Sequence, residues 1–164
     1  MRRKGKGITM VTIKIGEKEI SLEFTFAAAE CKSLVQNMFN VASGAYIVKN
    51  SLSEGKMGEN AASSIIDGTS EMVADIPKIC RVAFYAGMLE NNPVSEEDAK
   101  ELMKQYMLEN KMSFYRLFED LKKYMEEDGF FDLSGITEML QQMNKAAEKQ
   151  VEKAQNKSKS TSTK

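Results

Sequence analysis

The chain contains no histidine and only two cysteines among its 164 residues. Histidine is the side chain most often used for proton transfer near neutral pH, and it is the commonest metal ligand in proteins. Without it, Cys31 and Cys80 could build a structural zinc site only with carboxylates or with a second subunit. No glycine-rich loop has the spacing of a phosphate-binding motif. The sequence therefore predicts no metal, no nucleotide cofactor and no enzymatic activity.

Long apolar runs are also missing. No stretch approaches the roughly 20 apolar residues that span a bilayer. The basic N-terminus is followed by strand-like alternation and not by the apolar block of a signal peptide. Cys31 and Cys80 lie within apolar helical patterns, where a free thiol behaves as a small hydrophobic residue. These features predict a cytoplasmic protein with two reduced cysteines and no membrane segment.

Basic residues are concentrated at the two ends of the chain. Residues 1–7 and residues 144–164 each carry a net charge of +4, so that a total of −1 leaves −9 for residues 8–143. An acidic body argues against duplex nucleic acid as the main ligand, because phosphate binding needs a positive face on the folded part. We interpret residues 1–9 as a disordered basic extension, residues 10–143 as a single domain, and residues 144–164 as a fraying helix with a disordered Lys/Ser-rich tail.

The first half of the chain changes from a strand period to a helix period. Residues 11–26 alternate between apolar and polar on both sides of Gly16-Glu17-Lys18, which predicts a β-hairpin. From about Ala27 the apolar residues recur at helical spacing, and one helix is expected to reach roughly Ser51. A turn-rich stretch over Ser53–Ala62 and a short helix weakened by glycine should follow. Pro77 suits the first turn of a new, strongly apolar helix at the centre of the core.

The second half contains two helices with recognisable ends. Ser95 and Ser113 have the position of N-caps, and Gly129 suits a left-handed helix end. A last helix begins near Ile136. The acidic run over residues 126–128 opposes the helix dipole, so it is either a solvated helix end or an attachment point for a basic partner. The predicted fold is α+β and helix-dominated, with an N-terminal β-hairpin, about five helices and a disordered polar C-terminal tail.

Methionines and aromatic residues concentrate in the C-terminal helices, and the chain has 12 methionines in all. Flexible thioether side chains suit a groove that accepts varied apolar helices, although they also serve as ordinary core residues. Tyr115 lies off the apolar stripe of its helix and is expected to face solvent or a partner. The predicted partner-binding residues are Tyr106, Met107, Phe114, Tyr115, Phe118, Met139 and Met143.

Two segments carry a resemblance to a known family. The first is IKIGEKEISLEFTFAAAECKSL, a hairpin with an F-x-F step into a helix, and the second is PKICRVAFYAGMLENNPVSEEDAKELMKQYM, an apolar helix followed by an Asn/Pro break and an acidic-capped helix. With the connecting segment they span residues 11–110. In this order they resemble the tail assembly chaperones of long-tailed bacteriophages and prophages.

The resemblance implies a non-enzymatic protein that binds the tape measure protein in the host cytoplasm. Such a chaperone keeps its partner soluble while tail tube subunits assemble, and it is expected to be absent from the mature virion. Family members also occur as a longer frameshifted product, through which the tail tube protein would become a partner, and a homo-oligomer is compatible with the sequence. The chain departs from the family in its 21-residue Lys/Ser-rich ending, so it fits either product.

Two other functions fit the same sequence. A small intracellular regulatory adaptor would bind one folded partner with fixed stoichiometry. A nucleic-acid-binding accessory factor would use the basic ends and would bind in a salt-sensitive manner. An enzyme that relies on carboxylates alone would need two of them in a cleft with shifted pKa values.

Overall fold

The computed structural model describes residues 10–46 and 61–160, with side chains over residues 10–46 and 65–156. The elements are β1 (Val11–Ile15), β2 (Lys18–Leu22), α1 (Phe26–Glu30), α2 (Lys32–Ala42), α3 (Ala61–Met88), α4 (Glu96–Glu109), α5 (Phe114–Asp128), α6 (Phe130–Leu133) and α7 (Ile136–Ser160). Five of these described helices have 11 residues or more. The predicted helix-dominated α+β fold with an N-terminal hairpin is confirmed. The predicted basic extension over residues 1–9 and most of the predicted turn-rich stretch lie outside the described residues.

The hairpin is short and is attached to α4 at its tip. Strands β1 and β2 pair antiparallel, with Ile13 opposite Ile20. Alternation turns the isoleucines of both strands toward the core. Gly16 has a φ of +60°, which a residue without a Cβ adopts without strain. Its N–H donates to Glu109 Oε2 at 2.9 Å, so the turn of the hairpin is bound to the end of α4.

The single helix predicted from Ala27 to Ser51 is wrong. The chain breaks at Cys31, whose ψ of 96° is extended, and this break separates α1 from α2. Ala28 in α1 and Leu34 in α2 are both fully buried, so packing of each short helix against the core overrides the continuous helical pattern. Helix α2 ends at Ala42, just before Gly44 with its left-handed φ of +68°.

Helix α3 is one continuous helix of 28 residues, about 42 Å long. The helix start predicted at Pro77 is therefore wrong. A proline within a helix leaves the carbonyl four residues earlier without its N–H donor. That carbonyl belongs to Val73, which is exposed, so solvent can satisfy it. Ile76 and Ile79 on either side of Pro77 are buried, and their packing holds the helix together across the proline.

The second half of α3 forms the centre of the core, as predicted. Elements α1, α2, α4, α5 and β2 all pack against this helix. Its fully or almost fully buried residues are Ile76, Ile79, Cys80, Ala83, Phe84, Ala86 and Met88. Gly87 lies in close contact with the ring of Phe24, which follows the hairpin.

The predicted N-caps of α4 and α5 and the predicted C-terminal end of α5 are confirmed. Ser95 Oγ accepts a hydrogen bond from the Asp98 N–H at 3.1 Å, and Ser113 Oγ accepts one from the Arg116 N–H at 3.2 Å. Gly129 ends α5 with a left-handed φ of +76°. Each cap satisfies a backbone group that the first or last helical turn leaves unpaired.

Helix α7 extends beyond the core. Ile136 in its first turn is buried, whereas the side chains of residues 141–156 are all exposed. The helix continues to Ser160, later than the sequence predicts, and residues 161–164 lie outside the described residues. Among the described helices, none combines the length and the apolar character needed to cross a membrane.

Candidate partner-binding surfaces

The seven predicted binding residues do not form one surface. Phe114 and Tyr115 are exposed at the start of α5, and Tyr115 is 59% exposed, as its position off the apolar stripe predicts. Met139 and Met143 are exposed on α7. Phe118 is only 4% exposed, because it continues the buried stripe of α5 that faces α3. The prediction that Phe118 contacts a partner is therefore wrong.

Tyr106 and Met107 have an intermediate position at the edge of the core. Both are half-buried and pack against buried residues. The Tyr106 ring lies 6.3 Å from the Phe84 ring, measured between centroids. Burial raises the pKa of Tyr106, and the nearby Asp120 carboxylate adds to this effect. These two residues support the packing of α4 against α3 and offer little free surface to a partner.

The start of α5 lies beside the middle of α3. The Cys80 thiol donates to the Phe114 carbonyl at 3.4 Å. At the other end of α5, Asp128 Oδ2 accepts a hydrogen bond from the Phe24 N–H at 2.8 Å, and Phe24 itself lies against Gly87. The start of α5 therefore lies beside Cys80, and its end is joined through Phe24 to Gly87 near the end of α3.

The apolar face of α3 also extends from Cys80 toward the start of the helix. Val73 and Ile66 precede Cys80 by seven and fourteen residues, so they lie on the same side of the helix. Val73 is 54% exposed and Ile66 is 67% exposed, and Ile65 beside them is also exposed. Fourteen residues correspond to about 21 Å along the helix axis. We call Ile65, Ile66, Val73, Phe114 and Tyr115 the α3–α5 surface.

The acidic residues in the first half of α3 face α2 and do not border the α3–α5 surface. Asp67, Glu71 and Asp75 lie on the same half of α3, and no basic residue occurs between residues 65 and 77. Tyr46 Oη donates to Asp75 Oδ2 at 3.0 Å. Burial, followed by this hydrogen bond, raises the pKa of Tyr46 to about 12. Glu71 and Asp75 line a polar cavity together with Asn37 and Asn40 of α2.

A second apolar surface lies between α2 and α7. It is a groove of about 480 Å³ lined by Ala29, Lys32, Val35, Gln36, Phe39, Ser134, Gly135, Ile136 and Met139, which we call the α2–α7 groove. Val35 and Phe39 form one wall, and Ile136 and Met139 form the other. Met143, one turn further along α7, extends the apolar wall. The groove shares no residue with the α3–α5 surface.

The acidic run at the end of α5 has a role in the fold. Asp128 holds the Phe24 N–H, and Glu127 Oε1 lies 3.8 Å from Lys123 Nζ in an ion pair on the same helix. A negative charge at a helix C-terminus is locally unfavourable. Here the Asp128 carboxylate attaches α5 to the segment between β2 and α1, which accounts for its position.

Sequence reasoning missed Ile65, Ile66 and Val73 as surface residues and Val35 and Phe39 as groove residues. The first three were assigned to a short helix that ended before Pro77, so their alignment with Cys80 was lost. The seven-residue spacing of Ile66, Val73 and Cys80 indicates that they share one helix face, but not that Ile66 and Val73 are exposed. In the described part of the chain, no group of three or more His, Cys, Asp or Glu residues could hold a metal ion.

Comparison with protein-family models, with curated proteins and with solved structures finds no match to the chain. The two apolar surfaces are therefore the basis for assigning a function.

Proposed function

We propose that the chain is a non-enzymatic tail assembly chaperone of a long-tailed phage or prophage. It would bind the tape measure protein in the host cytoplasm and keep it soluble during assembly of the tail tube. The observation that carries this proposal is the α3–α5 surface. There the apolar face of α3 continues about 21 Å along the helix before Cys80, and its Val73 and Ile66 are more than half exposed. A tape measure protein is a long, apolar, helical chain, and a helix of that kind fits such a face.

The expected affinity of the α3–α5 surface for one helix is low. Full burial of one large apolar side chain contributes about 1.5–3 kcal/mol. The five residues of the α3–α5 surface are already partly covered, and association costs about 4–15 kcal/mol in lost freedom of motion. A single docked helix would therefore bind weakly and reversibly. Reversible binding suits a chaperone, which must release its partner when tail tube subunits arrive.

The α2–α7 groove provides a second contact for the same partner. Val35, Phe39 and Met139 are apolar, and the exposed thioethers of Met139 and Met143 adapt to different side chains. Two separate surfaces on one chain raise the effective concentration of the second contact once the first has formed. They would also allow successive copies of the chaperone to cover a long partner.

The proposal is tested by co-expressing the chain with the tape measure protein of the same phage and measuring how much of that protein stays in the soluble fraction. We expect the tape measure protein to aggregate when it is expressed alone. When it is expressed with the chain, it should remain soluble in a complex that holds several copies of the chain. A one-to-one complex with a folded partner and no effect on aggregation would instead support the adaptor function. No gain in soluble tape measure protein would refute the chaperone proposal.

A further inference from the structure

The second half of α7 extends away from the body of the molecule. The side chains of residues 141–156 are all exposed. Helix α7 has 25 residues, so about 30 Å of it follows Leu140. A helix in water depends mostly on packing of its apolar face, and its intrinsic propensity contributes less. This part of α7 would therefore be stabilised by a surface that covers its apolar face.

An apolar stripe runs along this part of α7 and continues its core-facing side. Ile136 is buried, and Leu140 is half-buried against the core. From there the apolar residues recur at intervals of three or four, which keeps them on one face of the helix. They are Leu140, Met143, Ala147, Val151 and Ala154. Met143 and Val151 are each about half exposed, so the stripe passes from covered to uncovered along one helix.

The charges of the chain are complementary between this helix and the body. Residues 144–164 carry a net charge of +4, and residues 8–143 carry −9. Glu30 of α1 and Asp132 of α6 are exposed, and α1 packs against α6 at the end of the body where α7 begins. Lys32, which lines the α2–α7 groove, offsets one of these two acidic charges. A basic helix of this kind fits the acidic body of another copy of the same chain.

We propose that α7 pairs antiparallel with α7 of a second copy of the chain. The second half of each helix then runs along the first half of the other, toward the α2–α7 groove of that copy. Such a pair has twofold symmetry, and both copies contribute the same residues. Antiparallel order places each basic end beside the acidic body of the other copy. Parallel order would bring the two basic ends together, where like charges repel each other.

The sizes of the side chains indicate how the two helices align. Met143 of one copy opposite Ala147 of the other places a large side chain against a small one on both sides of the twofold axis. The same alignment brings Val151 of one copy to Met139 of the other, at the edge of the α2–α7 groove. The exposed end of each stripe is thereby covered by apolar residues of the other copy.

This inference rests on α7 and on the distribution of charge, and it does not depend on the proposed chaperone function. Met139 and Met143 belong both to the helix pair and to the wall of the α2–α7 groove. A partner helix in that groove would therefore compete with the second copy. Self-association is measured on the chain alone, so the result is independent of any tape measure protein.

Sedimentation equilibrium of the full-length chain tests the association, and wild type should form a dimer that dissociates on dilution. Met143→Glu with Val151→Glu places two charges in the apolar stripe and should raise the dimer Kd at least about 100-fold. Gln142→Glu with Asn156→Glu is the matched control, because it adds the same charge on the opposite, exposed face of α7 and should leave the Kd nearly unchanged. All four positions lie outside the core, and circular dichroism checks that both variants fold. A wild type that stays monomeric at millimolar concentration, or equal Kd values for the two variants, would overturn the proposal.

Disulfide cross-linking tests the antiparallel order. Met139→Cys and Gln150→Cys are made separately in a Cys31→Ser background, and Cys80 can stay because it is fully buried. In the antiparallel pair, residue 139 of one copy lies beside residue 150 of the other, whereas the two copies of residue 150 are about 15 Å apart along the helix axis. A disulfide needs Cα atoms within about 7 Å. A mixture of the two variants should therefore cross-link on mild oxidation, and neither variant alone should. Cross-linking of each variant alone, with none gained in the mixture, would show parallel order and overturn the proposal.

Discussion

The ring of Phe24 lies directly against Gly87, so that a Cβ at residue 87 would be 2.8 Å from Phe24 Cζ. The Glu23 N–H donates to the Gly87 carbonyl at 2.8 Å, and the Phe24 N–H donates to Asp128 Oδ2 at 2.8 Å. The segment that follows the hairpin is thereby attached to α3 and to α5 at once. This contact keeps the C-terminal end of α5 beside the C-terminal end of α3, while Ile66 and Val73 in the first half of α3 remain more than half exposed.

Gly87→Ala should destabilise the fold by about 1–3 kcal/mol, because the added methyl group cannot fit without moving the Phe24 ring. Urea unfolding followed by circular dichroism measures the change. A double-mutant cycle with Phe24→Ala isolates the contact. Once the ring is removed, alanine at position 87 should be neutral or stabilising by up to about 1 kcal/mol through its higher helix propensity. An equal loss in both backgrounds would show that the ring is not the cause.

The sequence predicts the elements whose signals are local. The hairpin alternation, the caps at Ser95 and Ser113 and the left-handed stop at Gly129 depend on neighbouring residues alone, and all are confirmed. The break at Cys31 and the continuity of α3 through Pro77 depend on packing against distant elements. Local rules place a helix start at a proline, but buried residues on both sides of it outweigh the lost hydrogen bond.

The exposure of a candidate site residue was predictable where it follows from the position of that residue around its own helix. Tyr115 lies off the stripe of α5 and is exposed, whereas Phe118 lies on the stripe and is buried. Exposure of Ile66 and Val73 could not be predicted in this way, because both continue the buried face of α3. They are free because α5 begins only at Phe114, beside Cys80, and the position of one helix along another is a tertiary property.

Ser95→Ala and Ser113→Ala should each cost about 0.5–2 kcal/mol, since each removes the oxygen that accepts an N–H in the first helical turn. The free energy of unfolding in urea measures both losses. Ser95→Asp and Ser113→Asp are the matched controls, because aspartate is an equally good N-cap, and they should retain most of the stability. If alanine and aspartate behave alike at either position, the cap is not stabilising.

Glu109 should make the stability of the protein pH-dependent in acid. The Gly16 N–H and then the Gln105 side chain hold the pKa of its carboxyl below the usual 4.5. Since the folded pKa is lowered, the stabilisation is present above the unfolded pKa and is lost as the pH falls through the folded pKa. Glu109→Gln should therefore unfold at lower urea than wild type near neutral pH, and the difference should disappear in acid. A difference that stays constant over this range would contradict the assignment.

Limited trypsin digestion should remove the end of α7 before it cuts α3. Lys145, Lys149 and Lys153 lie on the fully exposed part of α7, where little packing opposes local unfolding. Lys78 and Arg81 are also accessible, but their backbone belongs to the central helix of the core. Mass spectrometry of the time course gives the order of cleavage. Early cuts after Lys78 or Arg81 would show that α3 is less stable than its burial implies.

The most direct test of the chaperone proposal compares variants of the α3–α5 surface in the co-expression assay with the tape measure protein. Val73→Glu and Tyr115→Glu place a charge on that surface, and Leu108→Glu is the matched control on α4, where the side chain is 79% exposed. Exposed positions of this kind change folding stability by only about ±0.5 kcal/mol, whereas an unpaired charge in an apolar interface costs several kcal/mol. We predict that wild type and Leu108→Glu keep the tape measure protein soluble and that Val73→Glu and Tyr115→Glu do not. Equal soluble fractions with all four chains would contradict the assignment of the α3–α5 surface as the binding site.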